Sequence, residues 1–275
     1  MSSSPQDARL ETLLDEAEHA LDEGAPHAAL SLCTQALELD PNHPGAWFVR
    51  GDATRALGAL EEAADSYRRA ALGRPDHASS WASYGLVCFE MLDLTEAERG
   101  ATRAIREDPR SPEGWWVRSL LAEWNGDLDG AERCLLHARF LDPVGYPLPA
   151  RLDDDEVEQL VEEALTELHP DIQAYLENVA ILLEELPAEE VLRYYDPPAS
   201  PLELLGFFSG HSLMERSTED PWSNLPPTIV LFRRNLERHA GSRDELVHEL
   251  QVTLFHEIGH FLGLSEQDLE DRGLD

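Results

Sequence analysis

Pro41, Pro75, Pro109 and Pro143 recur every 34 residues through the first part of this 275-residue chain. Trp47, Trp81 and Trp115 keep the same step, with Leu13 at the matching earlier place. Ala29, Ala63, Ala97 and Ala131 keep it too, as do Ala36, Ala70, Ala104 and Ala138, and small residues recur at Ala17, Gly51, Gly85 and Ser119. Such a period means one supersecondary unit stacked on itself, because a single unit cannot bury its own apolar face. Within each unit a bulky residue stands four positions before a small one, so both lie on one helix face. Alanines seven apart let a second helix pack tightly on the first. Gly24, Gly58 and Gly126 punctuate the turn between the two helices, Leu92 being the exception. Each proline then ends a unit, since it cannot continue a helix. The spacing predicts helical hairpins over about 10–43, 44–77, 78–111 and 112–145, and an all-α solenoid over residues 1–147 with its alanines and tryptophans in the core.

This pattern resembles the tetratricopeptide repeat. The resemblance implies a curved array whose concave face holds a protein or peptide partner; a scaffold that only orders the neighbouring domain is the alternative. Arg50, Arg55, Arg68, Arg69, Arg99, Arg103 and Arg106 are scattered among acids. They form no dense basic cluster of the kind that clamps a carboxylate terminus, so the residues do not name a ligand.

Charge narrows the partners. Acidic residues number 55 against 21 basic ones, a net charge of −34, and every basic residue other than histidine is arginine. That balance repels a phosphate backbone and an anionic lipid surface, which argues against nucleic acid and membrane as partners. Apolar content of 42% with six tryptophans suffices for a core. Met1 to Pro5 has neither the basic nor the apolar region of a signal peptide, and no apolar run approaches membrane-spanning length. Cys33, Cys88 and Cys134 fall on apolar helical faces, where a small buried thiol is the usual reading. A cytoplasmic setting is expected.

The 34-residue register stops after Pro143. A turn-rich stretch, Gly145 to Pro149, leads into Asp153-Asp154-Asp155-Glu156, acids suited to a helix N-terminus. Val157, Leu160, Val161, Ala164, Leu165 and Leu168 continue at helical spacing up to His169-Pro170. That helix caps the solenoid, begins a second domain, or does both. Val179 to Leu183 reads as a buried strand, Leu204 to Phe208 as a weaker one, and Thr228 to Phe232 as a clear one. A long helix follows from about Ser242 through Phe261, with Ser242 and Glu245 as a capping box. Residues 152–275 thus form a small α+β domain whose last helix carries the chemistry.

On that helix lies His256-Glu257-Ile258-Gly259-His260. Two histidines at i and i+4 stand one turn apart on one face, spaced for two imidazole bonds to one Zn²⁺. Glu257 points beside the metal, where it can take a proton from an activated water and later pass it to a leaving amine. A catalytic zinc needs a third protein ligand and one open position. Gly263 permits a left-handed helix end that doubles the chain back. Glu266 is preferred as the third ligand on spacing, with Asp268, Glu270 and Asp271 as alternatives. Glu249 lies on the same helix face but two turns away. His211 and His239 are read as surface residues in loops, His248, two turns before His256, as no ligand, and the solenoid histidines as no part of the site.

Residues from about 153 to 275 look like the small bacterial zincin-like metallopeptidases, the minimal zincins. The match runs through Glu162-Glu163-Ala164-Leu165, Asn178-Val179-Ala180, Gly206-x-x-x-Gly210, Leu213-x-x-Arg216-Ser217 and the strand Ile229-Val230-Leu231-Phe232-Arg233-Arg234, and ends in the extended motif. The resemblance implies zinc on His256, His260 and the acid at 266, where relatives usually carry Asp, with Glu257 as general base. Arg216 is a candidate substrate contact or a salt-bridge partner. The expectation is a tetratricopeptide solenoid joined to a zinc metallopeptidase that acts on a peptide substrate. The rival is a non-catalytic interaction scaffold with a structural or vestigial zinc. A third reading is an enzyme held inactive until the solenoid binds its partner.

Overall fold

The structure, a computed structural model, describes residues 5–210 and 227–270, apart from the side chains of Glu266 and Glu270. It divides into two compact units, Met1–Leu148 and Pro149–Asp275.

The first unit is a helical solenoid: α1 (Pro5–Asp22), α2 (Pro26–Leu39), α3 (Pro44–Ala56), α4 (Leu60–Gly73), α5 (Ala78–Glu90), α6 (Leu94–Glu107), α7 (Pro112–Trp124) and α8 (Leu128–Leu141). Each odd-numbered helix packs on the next, and each even-numbered one on the helix that opens the following hairpin. The small residues explain how close these helices come. A Cβ on Gly100 would lie 2.5 Å from the Cα of Gly85, and one on Gly51 would lie 2.6 Å from the Tyr67 ring. Ala29, Ala36, Ala63, Ala70, Ala97, Ala104 and Ala138 are fully buried.

The hairpin turns follow a single backbone device. Gly24, Gly58 and Gly126 have φ of 70°, 74° and 77°, and Leu92, the residue that breaks the glycine pattern, adopts φ 61° at the equivalent place. The third hairpin therefore keeps the geometry and bears the steric cost of a side chain there.

The tryptophans differ from the sequence expectation. They are half-buried rather than core residues. Their indole N–H groups donate to the carbonyls of Pro41, Pro75 and Pro109 at 2.9, 3.0 and 3.0 Å. A cationic or imidazole side chain covers each ring: Arg69 on Trp47, Arg103 on Trp81 and His137 on Trp115. An amphipathic ring with one polar corner suits that half-wet place.

Two polar pairs link helices of the solenoid. The Tyr67 hydroxyl donates to Asp52 Oδ1 at 2.6 Å, and burial pushes the Asp52 carboxyl up to about 6 in spite of that bond. Arg55 grips Glu90 with Nε and Nη2. Cys33 and Cys88 are buried and Cys134 is only half-buried, all three as free thiols. Burial pushes the first two up to about 12.

The second unit opens with α9 (Asp154–Glu167), capped by a reciprocal box between Asp153 and Glu156. Where helical spacing ends at His169-Pro170, a further short helix begins, α10 (Pro170–Leu176), with the proline at its first turn. Then come β1 (Ala180–Glu184), α11 (Glu189–Leu192), β2 (Gly206–Ser209), β3 (Thr228–Phe232), α12 (Arg233–His239), α13 (Arg243–Leu262) and α14 (Glu266–Glu270). The sheet order is β1-β3-β2. β1 runs parallel to β3 with Ile181 opposite Ile229, and β2 runs antiparallel to it with Phe207 opposite Val230.

One sheet face carries Ile181, Ile229, Leu231 and Phe208 into a core shared with Val157 and Ala164 of α9 and Leu246, Leu250, Leu254, Ile258 and Phe261 of α13. The apolar run predicts a β1 buried on both faces; among the described residues it is instead an edge strand, and its Leu182 is 46% exposed. Its continuous apolar run cannot by itself distinguish one covered face from two. Arg233 and Arg234, expected to continue β3, instead begin α12. There the Arg234 amide donates to the Glu185 carbonyl, its guanidinium meets the Glu185 carboxylate at 2.6 Å, and Arg233 pairs with Asp154.

Candidate metal centre

The α13 helix is assembled from ordinary local signals. Ser242 Oγ accepts from the Glu245 amide, but the Glu245 carboxylate accepts from Gly241 rather than from Ser242. The expected capping box is thus shifted by one residue on its return bond. Leu246, Leu250, Leu254, Ile258 and Phe261 hold one side of the helix in the core. Gly263 ends it at φ 91°, with its amide bonded to His260 O and that of Leu264 to Gly259 O.

The reversal brings the tail back onto the helix. Leu269 of α14 is fully buried and lies where a side chain on Gly259 would be. A glycine between the two histidine turns is what allows α14 to lie so close. Within the tail, Ser265 Oγ accepts from the Asp268 amide, while Asp268 Oδ2 accepts from the Ser265 amide and hydroxyl at 3.0 and 2.6 Å. Ser265 is therefore the N-cap of α14, and Asp268 is its reciprocal partner in a capping box.

His256 and His260 are half-buried and converge as the spacing predicts. Their Nε2 atoms are 2.9 Å apart, with ring centroids at 4.6 Å and planes at 79°. Two imidazole nitrogens bound tetrahedrally to one Zn²⁺ stand about 3.4 Å apart, given bonds of about 2.0–2.1 Å. The pair therefore fits one ion after opening by about half an ångström. Glu257 is buried, 6% exposed, on the side of α13 that meets β2. A Cβ on Gly206 would come within 3.0 Å of both Glu257 Cγ and Glu257 Oε1.

The other expected members separate as follows. Among the described residues no group of three or more metal-ligating side chains comes together. The side chains of Glu266 and Glu270, and residue Asp271, lie outside the described residues, as do His211, Leu213, Arg216 and Ser217. His239 is exposed as expected, although it closes α12 rather than sitting in a loop, and His248 is exposed on α13. Glu249 is half-buried on α13, two turns before His256.

Sequence reasoning missed Asn235. It is fully buried, and its amide donates to Pro201 O at 3.1 Å and Leu204 O at 2.7 Å. No spacing rule marks it, because the two carbonyls it binds lie more than thirty residues away and α12 itself was not foreseen.

Family models match both regions of the chain. The family model described as zincin-like metallopeptidase matches residues 176–274, and the tetratricopeptide repeat model matches residues 14–80. No curated protein matches the chain. Solved structures similar to it include PilF of Pseudomonas aeruginosa, 17% identical, covering 57% of this chain and 70% of that one with a TM-score of 0.48. MamA of Desulfovibrio magneticus is 16% identical, covering 61% of this chain and 88% of that one, TM-score 0.43. A tetratricopeptide protein of Thermus thermophilus is 19% identical, covering 61% of this chain and 90% of that one, TM-score 0.47. Among the described residues no helix is long and apolar enough to cross a membrane. The chain carries a tetratricopeptide repeat region followed by a zincin-like metallopeptidase domain.

Proposed function

We propose that the chain is a zinc-dependent peptidase whose repeats recruit a protein partner or substrate. The division of labour falls between residues 147 and 152. The observation that carries this reading is the convergence of His256 and His260 Nε2 to 2.9 Å beside the buried carboxylate of Glu257. His256, His260 and Glu266 would hold one Zn²⁺. The engagement of the Asp268 carboxylate by the amide and hydroxyl of Ser265 favours Glu266 over that alternative. When bound, zinc acidifies water and polarises a scissile carbonyl at neutral pH.

The chain's own residues supply the rest. Glu257 accepts the proton of the attacking water and returns it to the leaving amine. Gly206 lets β2 approach that carboxylate closely enough to exclude solvent from one side of it. A histidine pair with a carboxylate, rather than four cysteines, is the donor set of a site that keeps one position open. Buried free thiols in the solenoid support a cytoplasmic setting.

The test is zinc stoichiometry together with cleavage of a peptide library by wild type and Glu257→Gln. Both should bind one zinc, and the variant should lose cleavage by about 10²–10⁴-fold. Chelation should abolish wild-type cleavage. Glu266→Ala should weaken zinc far more than Asp268→Ala does. Zinc bound by wild type and Glu257→Gln with cleavage by neither, even when the partner is supplied, would establish the scaffold reading instead.

A further inference from the structure

Asn235 binds together segments that are remote in sequence. Its two amide hydrogens go to Pro201 O at 3.1 Å and Leu204 O at 2.7 Å, and its Oδ1 accepts from Arg238 Nη1 at 2.7 Å. The side chain is 0% exposed. The adjacent Leu236 meets the demand for apolar filling at this place. An amide adds directional bonds to two carbonyls of one turn.

What those carbonyls belong to is the turn that feeds β2. The next residue of that turn, Leu205, accepts from the Phe232 amide at 2.8 Å. The entry to β2 is therefore tied to the β3–α12 junction through the carbonyls of Pro201, Leu204 and Leu205. The first residue of β2 is Gly206, opposite Leu231 in the ladder. Its Cα faces α13 so closely that a Cβ would stand 2.7 Å from Thr253 Cγ2 and 3.0 Å from Glu257 Cγ and Oε1. A displacement of the turn by a few tenths of an ångström would either press on the Glu257 side chain or release it.

We propose that Asn235 is a positioning residue for the Glu257 carboxylate, acting through the 201–205 turn and the bare backbone of Gly206. The inference rests on the reading of Glu257 as general base at a zinc site, and it assigns to the second unit a support for that base outside the metal ligands. Removing the amide lets the turn relax and widens the range of orientations open to Glu257, while His256 and His260 stay where α13 holds them.

The experiment is a double-mutant cycle on the full chain loaded with Co²⁺, using acetohydroxamate as the probe. Its polar hydrogens give a neighbouring carboxylate something to accept, and its binding is read from the visible spectrum of cobalt. Asn235→Leu keeps the branched four-atom skeleton and removes the bonds. It should weaken acetohydroxamate by about tenfold with metal stoichiometry unchanged, and cost nothing further in a Glu257→Gln background. With peptide substrate, kcat should fall while KM holds. Gly206→Ala approaches the same carboxylate from the strand side and should couple to Glu257→Gln in the same way, so it carries the test if Asn235→Leu does not fold. Additive losses, or full affinity in Asn235→Leu, overturn the inference alone. Wild type that takes up no metal overturns the reading beneath it, and the inference with it.

Discussion

In the solenoid, helices meet through alanine and glycine, with Ala29, Ala63, Ala97 and Ala104 fully buried and Gly85 against Gly100. In the second unit, the helix bearing the histidines meets a three-stranded sheet through Ile229, Leu231, Leu250, Leu254 and Phe261. The first interface works by letting backbones touch; the second works by filling the wide gap between a helix and a sheet. One should therefore tolerate no added atoms and the other no lost ones. The same contrast separates structural from chemical demands. The solenoid repeats one solution along the chain, whereas the second unit packs β2 and α14 against the helix that bears the histidines.

The largest effect should come from emptying the second interface. Phe261→Ala removes a fully buried ring packed on Phe208 and should cost about 3–5 kcal/mol in denaturant unfolding of that unit. A loss below about 1 kcal/mol would show that this core closes as readily as an alanine interface does. Next is the reverse operation: Gly100→Ala adds one methyl at a site without room and should cost about 1–3 kcal/mol in the solenoid. An unchanged solenoid would mean that its helices can separate at no penalty. Leu92→Gly should stabilise the third hairpin by about 1 kcal/mol, because glycine meets no Cβ penalty at φ 61°; destabilisation would show that the leucine side chain matters more than its backbone.

The finest test uses Asp52. Burial holds its carboxyl up at about 6, above its range in the unfolded chain, so the folded protein binds this proton more tightly. The resulting contribution is present at acid pH and is lost as pH climbs through about 6. Asp52→Asn keeps an acceptor for Tyr67 and should therefore raise the melting temperature, relative to wild type, more at pH 7 than at pH 4. Equal shifts at both pH values would reject burial as the controlling cause.

How far the sequence could be read follows from how local each cause is. The 34-residue step announces the helical hairpins because every unit contains its own signals, down to the odd turn at Leu92, which the structure resolves as the same left-handed bend. The histidine pair was equally legible, since helical geometry alone brings residues four apart together. α12 was not, because Arg233 and Arg234 leave the strand to meet Asp154 and Glu185, partners that no window around residue 233 contains. The one-sided exposure of β1 was hidden for a like reason: an apolar pentapeptide does not say how many neighbours it has. Asn235 lies furthest from view, as its hydrogen-bond partners are set by tertiary contact across more than thirty residues.

The three indole-to-proline hydrogen bonds have an evolutionary corollary. Because each spans a fixed six-residue step across a joint between hairpins, single-residue insertions there would unlatch a ring and throw every later helix out of phase. The array is thereby biased to lengthen or shorten by duplication or deletion of whole modules.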